Sequence, residues 1–301
     1  MTVVASAPGK IVLSGEYAVL FGAPAICMAV NRRAFARVAD SDDRECHVTT
    51  PGFSGEAPFA VVDAVYGSTR PASNIELDTR AFFLDSQKLG AGSSAAVTVA
   101  LAAAKHRSVD VFASARDAHR RLQAGAGSGV DVAAAVHGGL IEYEIASERV
   151  KPLRWPHGLC LRVLWTGVAA STGAKLQKLA AQSVRPSRSA LGLAASRMAK
   201  AWGSGDANRI LGEYPAYTGV LRQFSVDHDL GIFDAGHDEL TDAAIVNNLV
   251  YKPAGAGGGD IGVLFGNDAA ALDAFVTQHA HLMRGVVPCD LDPDGVRLES
   301  T

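Results

Sequence analysis

Residues 88–101, KLGAGSSAAVTVAL, set two glycines and two serines directly ahead of an alanine-rich run whose pattern predicts a helix ending near Lys105. Gly90 and Gly92 remove Cβ atoms where backbone has to approach something closely. Ser93 and Ser94 then open the helix, whose first turn leaves N–H groups without intrahelical partners. Those donors and the positive end of the helix dipole make a cradle suited to phosphate. A serine hydroxyl adds a hard oxygen of the kind magnesium accepts. The segment is not a Walker A loop, because no Gly-Lys-Ser/Thr follows. A tight turn closed by a serine cap would use the same residues.

Two other segments are rich in glycine or flanked by charge. In SAPGKIVLSGEYAVL (6–20), Lys10 and Glu16 stand at the two ends of a short strand. Lys10 reads either as a cation for a transferring phosphate or as a surface lysine. In KPAGAGGGDIGVLFG (252–266), five glycines fall between Gly255 and Gly262 beside a strand. Such a run serves close backbone approach or forms a flexible hairpin.

The remainder reads as a mixed chain. IVLSGE, AICMAVN, AFARVAD and ECHVTT are strand-like, as are 74–83, LIEYE and 160–167. Helical patterns cover 109–124 and a stretch opening at Val130. The second half is mostly helical (ASTGAKLQKLAA, SALGLAASRMAKAW, ANRILGEY onward, DELTDAAIVNNLV), followed by strand DIGVLFGN, a helix from Asp268 and a last strand-like segment. The lack of regular βαβ alternation favours a two-domain α+β protein over a doubly wound sheet. The boundary is placed at the turn around Trp155 and Gly158, giving domains 1–157 and 158–301.

Composition narrows the function classes. Among 301 residues, 28 Lys and Arg against 31 Asp and Glu give a net charge of −3, too balanced for a broad nucleic-acid footprint. The longest apolar stretches, such as 95–104, fall short of the ~20 residues that cross a bilayer. No secretory pattern is readable at the N-terminus. Cys27, Cys46, Cys160 and Cys289 have no metal-ligand spacing, as expected of buried small side chains in a reducing cytoplasm.

In order and spacing, the three glycine-rich or charged segments resemble the signature motifs of the GHMP kinases. SAPGKIVLSGEYAVLFGAPAICMAVN is similar to the N-terminal signature of phosphomevalonate and mevalonate kinases alike, and KLGAGSSAAVTVA to the phosphate loop of the phosphomevalonate branch. HRRLQAGAGSGVDVAAAVHGG (119–139) resembles that branch's His-x-x-x-Gln and Gly-Ser-Gly-x-Asp, and WTGVAASTGAKL (165–176) its Trp-Thr-Gly and Ala-Ser-Thr segment. In KPAGAGGGDIG, Asp260 fits phosphomevalonate kinases better than mevalonate kinases. The resemblance implies an N-terminal domain with a left-handed β-α-β unit, a ferredoxin-like C-terminal domain and a site between them.

It also implies a reaction, transfer of the γ-phosphoryl group of ATP to phosphomevalonate, with Mg²⁺ present. Residues Gly90, Ala91, Gly92, Ser93, Ser94 and Ala95 would hold the nucleotide, Ser94 nearest the metal. Lys10 and Asp131 would occupy the catalytic positions. Glu16, Tyr17, Lys88, Ser128, Gly129, Ser171, Thr172, Ala254, Gly255, Ala256 and Gly257, with Lys10, would face the acceptor. The alternative reading of Asp131 is a helix N-cap at the start of VDVAAAV.

His119 and Gln123 share one helix face, where a structural role is expected. Arg185 and Arg188 would be loop charges or a basic lip for an anionic substrate. Where mevalonate kinases carry a metal-binding glutamate this chain has Arg120; Ala91 and Ala254 stand where leucine and serine are usual; and the spacing from Lys10 to Gly90 is short. Mevalonate kinase and a non-catalytic ligand sensor are the alternatives, the decarboxylase branch fitting KPAGAGGGDIG poorly. The expected partner is a small molecule, with no nucleic acid or membrane; a homodimer stays open.

Overall fold

The computed structural model describes residues 2–51, 58–67, 69–123, 125, 127–183 and 185–300. In chain order come β1 (Val3–Ser14), β2 (Ala25–Asp40), β3 (His47–Thr49), α1 (Pro58–Tyr66), β4 (Ser73–Asp78), β5 (Phe83–Leu84) and β6 (Gln87–Lys88). Helices α2 (Ser93–His106), α3 (Phe112–Leu122) and α4 (Val130–His137) precede β7 (Leu140–Glu144) and β8 (Arg149–Leu153). The second half holds β9 (Cys160–Trp165), α5 (Thr172–Ala180), α6 (Pro186–Ser204), α7 (Ala207–Asp227), α8 (His237–Val246), β10 (Val250–Pro253), β11 (Ile261–Gly266), α9 (Ala269–Gln278), β12 (Gly285–Val286) and β13 (Arg297–Glu299).

β1 is buried along most of its length, which suits an interior strand covered on both faces. It lies between β2 and β13 in a seven-stranded sheet. What reads in the sequence as two runs, AICMAVN and AFARVAD, is one strand, β2. Its first residues pair with β7 and its last with β4, so a single long strand serves two neighbours along one edge. β13 returns from the far end of the chain to pair antiparallel with β1. Arg33 secures that return: its buried guanidinium donates to Asp292 (2.6 Å), to Ser6 Oγ (2.9 Å) and to the Gly295 carbonyl (2.7 Å). Against this sheet packs α2, buried from Ala95 through Ala104. A helix apolar on every side belongs inside, and its alanines let strands and helices approach closely.

The second sheet has the order β10-β11-β9-β12, with every pair antiparallel. Trp202, Tyr214 and Phe265 join α6 and α7 to it, the last two rings stacked at 5.0 Å. The Tyr214 hydroxyl donates to the Leu13 carbonyl at 3.1 Å, so this cluster also touches β1.

Several boundaries differ from the sequence expectations. The 74–83 strand stops at Asp78, whose carboxylate accepts the Arg80 N–H at 3.0 Å and turns the chain out of the ladder. The 109–124 helix is shorter, Phe112–Leu122; Ala124, its expected end, lies outside the described residues. Arg188 is not a loop residue but part of α6, where it donates to the Leu179 carbonyl (3.0 Å) and lies over the Phe21 ring. Asp131 is not the N-cap of α4; Gly129 is, and Asp131 stands in the first turn with Oδ1 accepting the Val132 N–H. The short strands β8, β10 and β12 fall outside the strand-like runs of the sequence. Among the described residues, no helix is long and apolar enough to cross a membrane.

Candidate active site

Lys10 is placed by the register of β1. A shift between Pro8 and Gly9 interrupts the ladder with β2, and such irregularities re-aim side chains. The Lys10 N–H donates to the Ala91 carbonyl at 2.8 Å, tying the strand to the 90–94 loop. Its side chain then runs over Gly92: a Cβ there would sit 2.9 Å from Lys10 Cγ, and the φ of +87° is itself one that side chains avoid. At the far end, the Nζ is 3.8 Å from where a Cβ on Gly255 would be. Lys10 therefore spans the gap between the two glycine loops.

Around it opens a cleft of about 450 Å³. Its wall includes Lys10, Glu16, Tyr17, Lys88, Gly90, Gly92, Ser93, Ser94, Ala95, Ser128, Asp131, Ser171, Thr172, Gly255 and Ala256. These come from β1 and the turn after it, β6 and the loop into α2, the start of α2, the approach to and start of α4, the start of α5 and the 255–260 loop. Ala91, Gly129, Ala254 and Gly257 are not part of the wall. Ala91 is buried with its carbonyl turned to Lys10, and Ala254 is buried with its N–H bonded to the Ile261 carbonyl at 3.0 Å. The helix α2 begins at Ser93 after Gly92 in a left-handed conformation, and the Ala96 N–H already bonds back to Gly92. The N–H groups ahead of it in that first turn are the donors available to an anion.

Glu16 and Tyr17 line the cleft with their polar atoms committed elsewhere. Glu16 Oε1 accepts from the fully buried Lys252 ammonium and Oε2 from the Tyr217 hydroxyl at 2.6 Å. That hydroxyl in turn accepts the Gly15 N–H at 2.8 Å. Burial pushes the Lys252 ammonium toward its neutral form, and the Glu16 carboxylate opposes this. Tyr17, at φ +58°, donates its hydroxyl to the Ala256 carbonyl at 2.7 Å. Both residues thus hold the cleft's floor rather than present free groups to a ligand.

Asp260 sits against the 90–94 loop, with no room for a side chain on Gly90. Burial raises its carboxyl above the ordinary range, opposed by the Ala170 N–H and by Lys10, Lys88 and Lys175. His119 is buried beside Asp131, its Nδ1 3.8 Å from Oδ2, and its Nε2 has no hydrogen-bond partner among the described residues. Arg185 and Arg188 do not line the cleft. The sequence reading missed Lys252, Lys175, His237 and Tyr217. A lysine between Tyr251 and Pro253 inside an apolar strand was the one signal that pointed to any of them.

Groups of three or more His, Cys, Asp or Glu able to hold a metal are absent among the described residues. Serine hydroxyls and single carboxylates around an anion cradle still suit magnesium, which binds through few protein groups plus phosphate oxygens.

No known family model matches the chain. Its sequence is 29% identical to a phosphomevalonate kinase of Streptomyces sp. over 97% of both chains. A mevalonate kinase of Methanothermobacter thermautotrophicus is 34% identical, over 49% of this chain and 52% of that protein. In structure, the chain is similar to the Streptococcus pneumoniae phosphomevalonate kinase solved with phosphomevalonate and AMPPNP. The TM-score is 0.78 at 18% identity, with 98% and 99% of the two chains covered.

Proposed function

We propose that this chain, a GHMP kinase related to the phosphomevalonate kinases, transfers the γ-phosphoryl group of ATP to phosphomevalonate, releasing ADP and diphosphomevalonate. The observation that carries this reading is the position of Lys10, bonded through its backbone to one glycine loop and reaching the other through its ammonium. End-to-end similarity to a phosphomevalonate kinase, against about half-length similarity to a mevalonate kinase, favours the phosphorylated acceptor.

Phosphoryl transfer depends on positioning and on neutralising charge. The nucleotide phosphates would rest on the α2 N-terminus between Gly90 and Ala95. Mg²⁺, with Ser94 as its protein ligand, would neutralise phosphate charge when bound. Lys10 would stabilise charge on the migrating group as an acceptor oxygen bonds to phosphorus and the bond to ADP breaks. Lys88, Ser128, Ser171 and Thr172 would contact the acceptor. A phosphate acceptor is already largely ionised near neutral pH, its second pKa being ~6. Asp131 therefore has little proton to remove and would orient the site.

ADP release measured with mevalonate and then with phosphomevalonate tests the reading. Turnover with phosphomevalonate alone is expected. Turnover with mevalonate alone would make the chain a mevalonate kinase, a reading Arg120 opposes; thermal stabilisation by ATP with no turnover would make it a sensor.

A further inference from the structure

The 255–260 loop carries Gly255 to within reach of Lys10, yet little in its own sequence would hold a glycine run in one shape. Side chains from elsewhere do so. The Lys175 ammonium, on α5, donates to the Gly257 carbonyl at 2.9 Å and to the Gly231 carbonyl at 3.0 Å. His237, at the start of α8, places Nε2 3.0 Å from the Gly259 carbonyl and Nδ1 2.8 Å from the Tyr251 hydroxyl. A carbonyl only accepts, so Nε2 carries the proton and Nδ1 accepts from Tyr251. Position 258 requires glycine, since its φ is +72° and a Cβ there would sit 2.5 Å from the Gly231 carbonyl oxygen and 2.2 Å from Lys175 Nζ. Neither Lys175 nor His237 lines the cleft.

We propose that His237 and Lys175 are positioning residues for phosphoryl transfer, clamping the carbonyls of Gly259 and Gly257 from behind so that Gly255 and Asp260 keep their places beside Lys10 and Gly90. The inference rests on the function proposed above. The neutral imidazole it requires agrees with burial, which pulls His237 down to about 4. The clamp is also rigid at its base, since the Gly258 N–H donates to the Ile232 carbonyl (2.7 Å) and the Ile232 N–H to Ser225 Oγ (2.8 Å). Displacing reacting groups by an ångström costs up to ~10²-fold in rate, so the loop does not need to unfold for the clamp to matter.

The test uses the full chain with His237→Leu, His237→Gln and Lys175→Met. Glutamine can still donate an amide hydrogen to Gly259, so it serves as the conservative rescue. Leucine is expected to lower kcat by ~10²-fold while KM for ATP, set at the α2 end, changes less than about 3-fold. Glutamine should restore most of kcat, and Lys175→Met should lower it by about 10-fold. Amide hydrogen exchange should rise within 255–260 in His237→Leu and Lys175→Met, without change in α2. An unaltered kcat in both His237→Leu and Lys175→Met, or equal losses in the leucine and glutamine variants, overturns the proposal. If the wild-type chain turns over neither acceptor, the function reading fails on its own, and the exchange measurement still decides whether the clamp exists.

Discussion

Residues 90–94 and residues 255–260 both deliver backbone to Lys10, and they are held by different means. The first segment runs straight into α2, so a buried helix, together with the Lys10 N–H on the Ala91 carbonyl, fixes it, and its leading N–H groups stay unspent. The second has no helix behind it and is held by Tyr17, Lys175 and His237 acting on three carbonyls. A loop secured by its own helix depends on local sequence, whereas a loop secured by side chains depends on the packing of α5, α8 and β10. Rigidity beside Lys10 is thus reached chiefly through chain continuity in one loop and through tertiary hydrogen bonds in the other.

The widest break in this comparison comes from Lys10, which belongs to both loops. Lys10→Met should lower kcat/KM by ~10³–10⁵-fold, the range found when a charge-stabilising cation is removed from phosphoryl transfer, with an unchanged melting temperature. Steady-state ADP release with a parallel melt would check both halves.

Next is Lys252, which ties the strand leading into the second region to Glu16. Lys252→Met leaves Glu16 buried without its counter-ion and should destabilise the fold by about 3–5 kcal/mol, read by denaturant unfolding. Adding Glu16→Gln should recover part of that loss.

Acid sharpens the comparison further. Burial disfavours the charged imidazole of His237 and pulls it down from 6.5 to about 4; Lys252 and Lys175 add to this, while the Gly259 carbonyl and Asp234 oppose it. The unfolded chain therefore binds the proton first. Stability from this group is complete above about 6.5 and is lost as pH falls to about 4, on the order of 3 kcal/mol in all. His237→Gln should flatten that part of the curve.

Asp131→Asn is the smallest expected effect. With a phosphate acceptor it should cost about 10-fold in kcat, below the ~10²–10⁴-fold attached to a true general base. A loss matching that of Lys10→Met would show that Asp131 takes a proton after all.

How much could be read in advance follows the same division. The α2 loop was legible because its signal is contiguous: two glycines, two serines, then a helical run. The alternative reading of Asp131, as an N-cap, does not hold for a local reason, since Gly129 takes the left-handed cap position. The clamp was not legible, because its hydrogen bonds join residues 22 and 82 positions apart and no spacing rule links a histidine to a distant carbonyl. Glu16 could be assigned to the cleft from its motif, but not its commitment to Lys252, which lies 236 positions away. The interruption of 74–83 was carried by Asp78 and Arg80, whose turn chemistry was present but outweighed by the apolar residues after it.

The pairing of β13 with β1 has a consequence for how the chain is made. Ser6 and Glu299 hydrogen-bond across 293 positions. During translation at ~5–20 residues per second, the nascent strand bearing Lys10 waits roughly 15–60 s for that neighbour. Throughout that interval the edge of β1 that β13 will cover, from Val4 to Ser6, stays open to pairing with other chains.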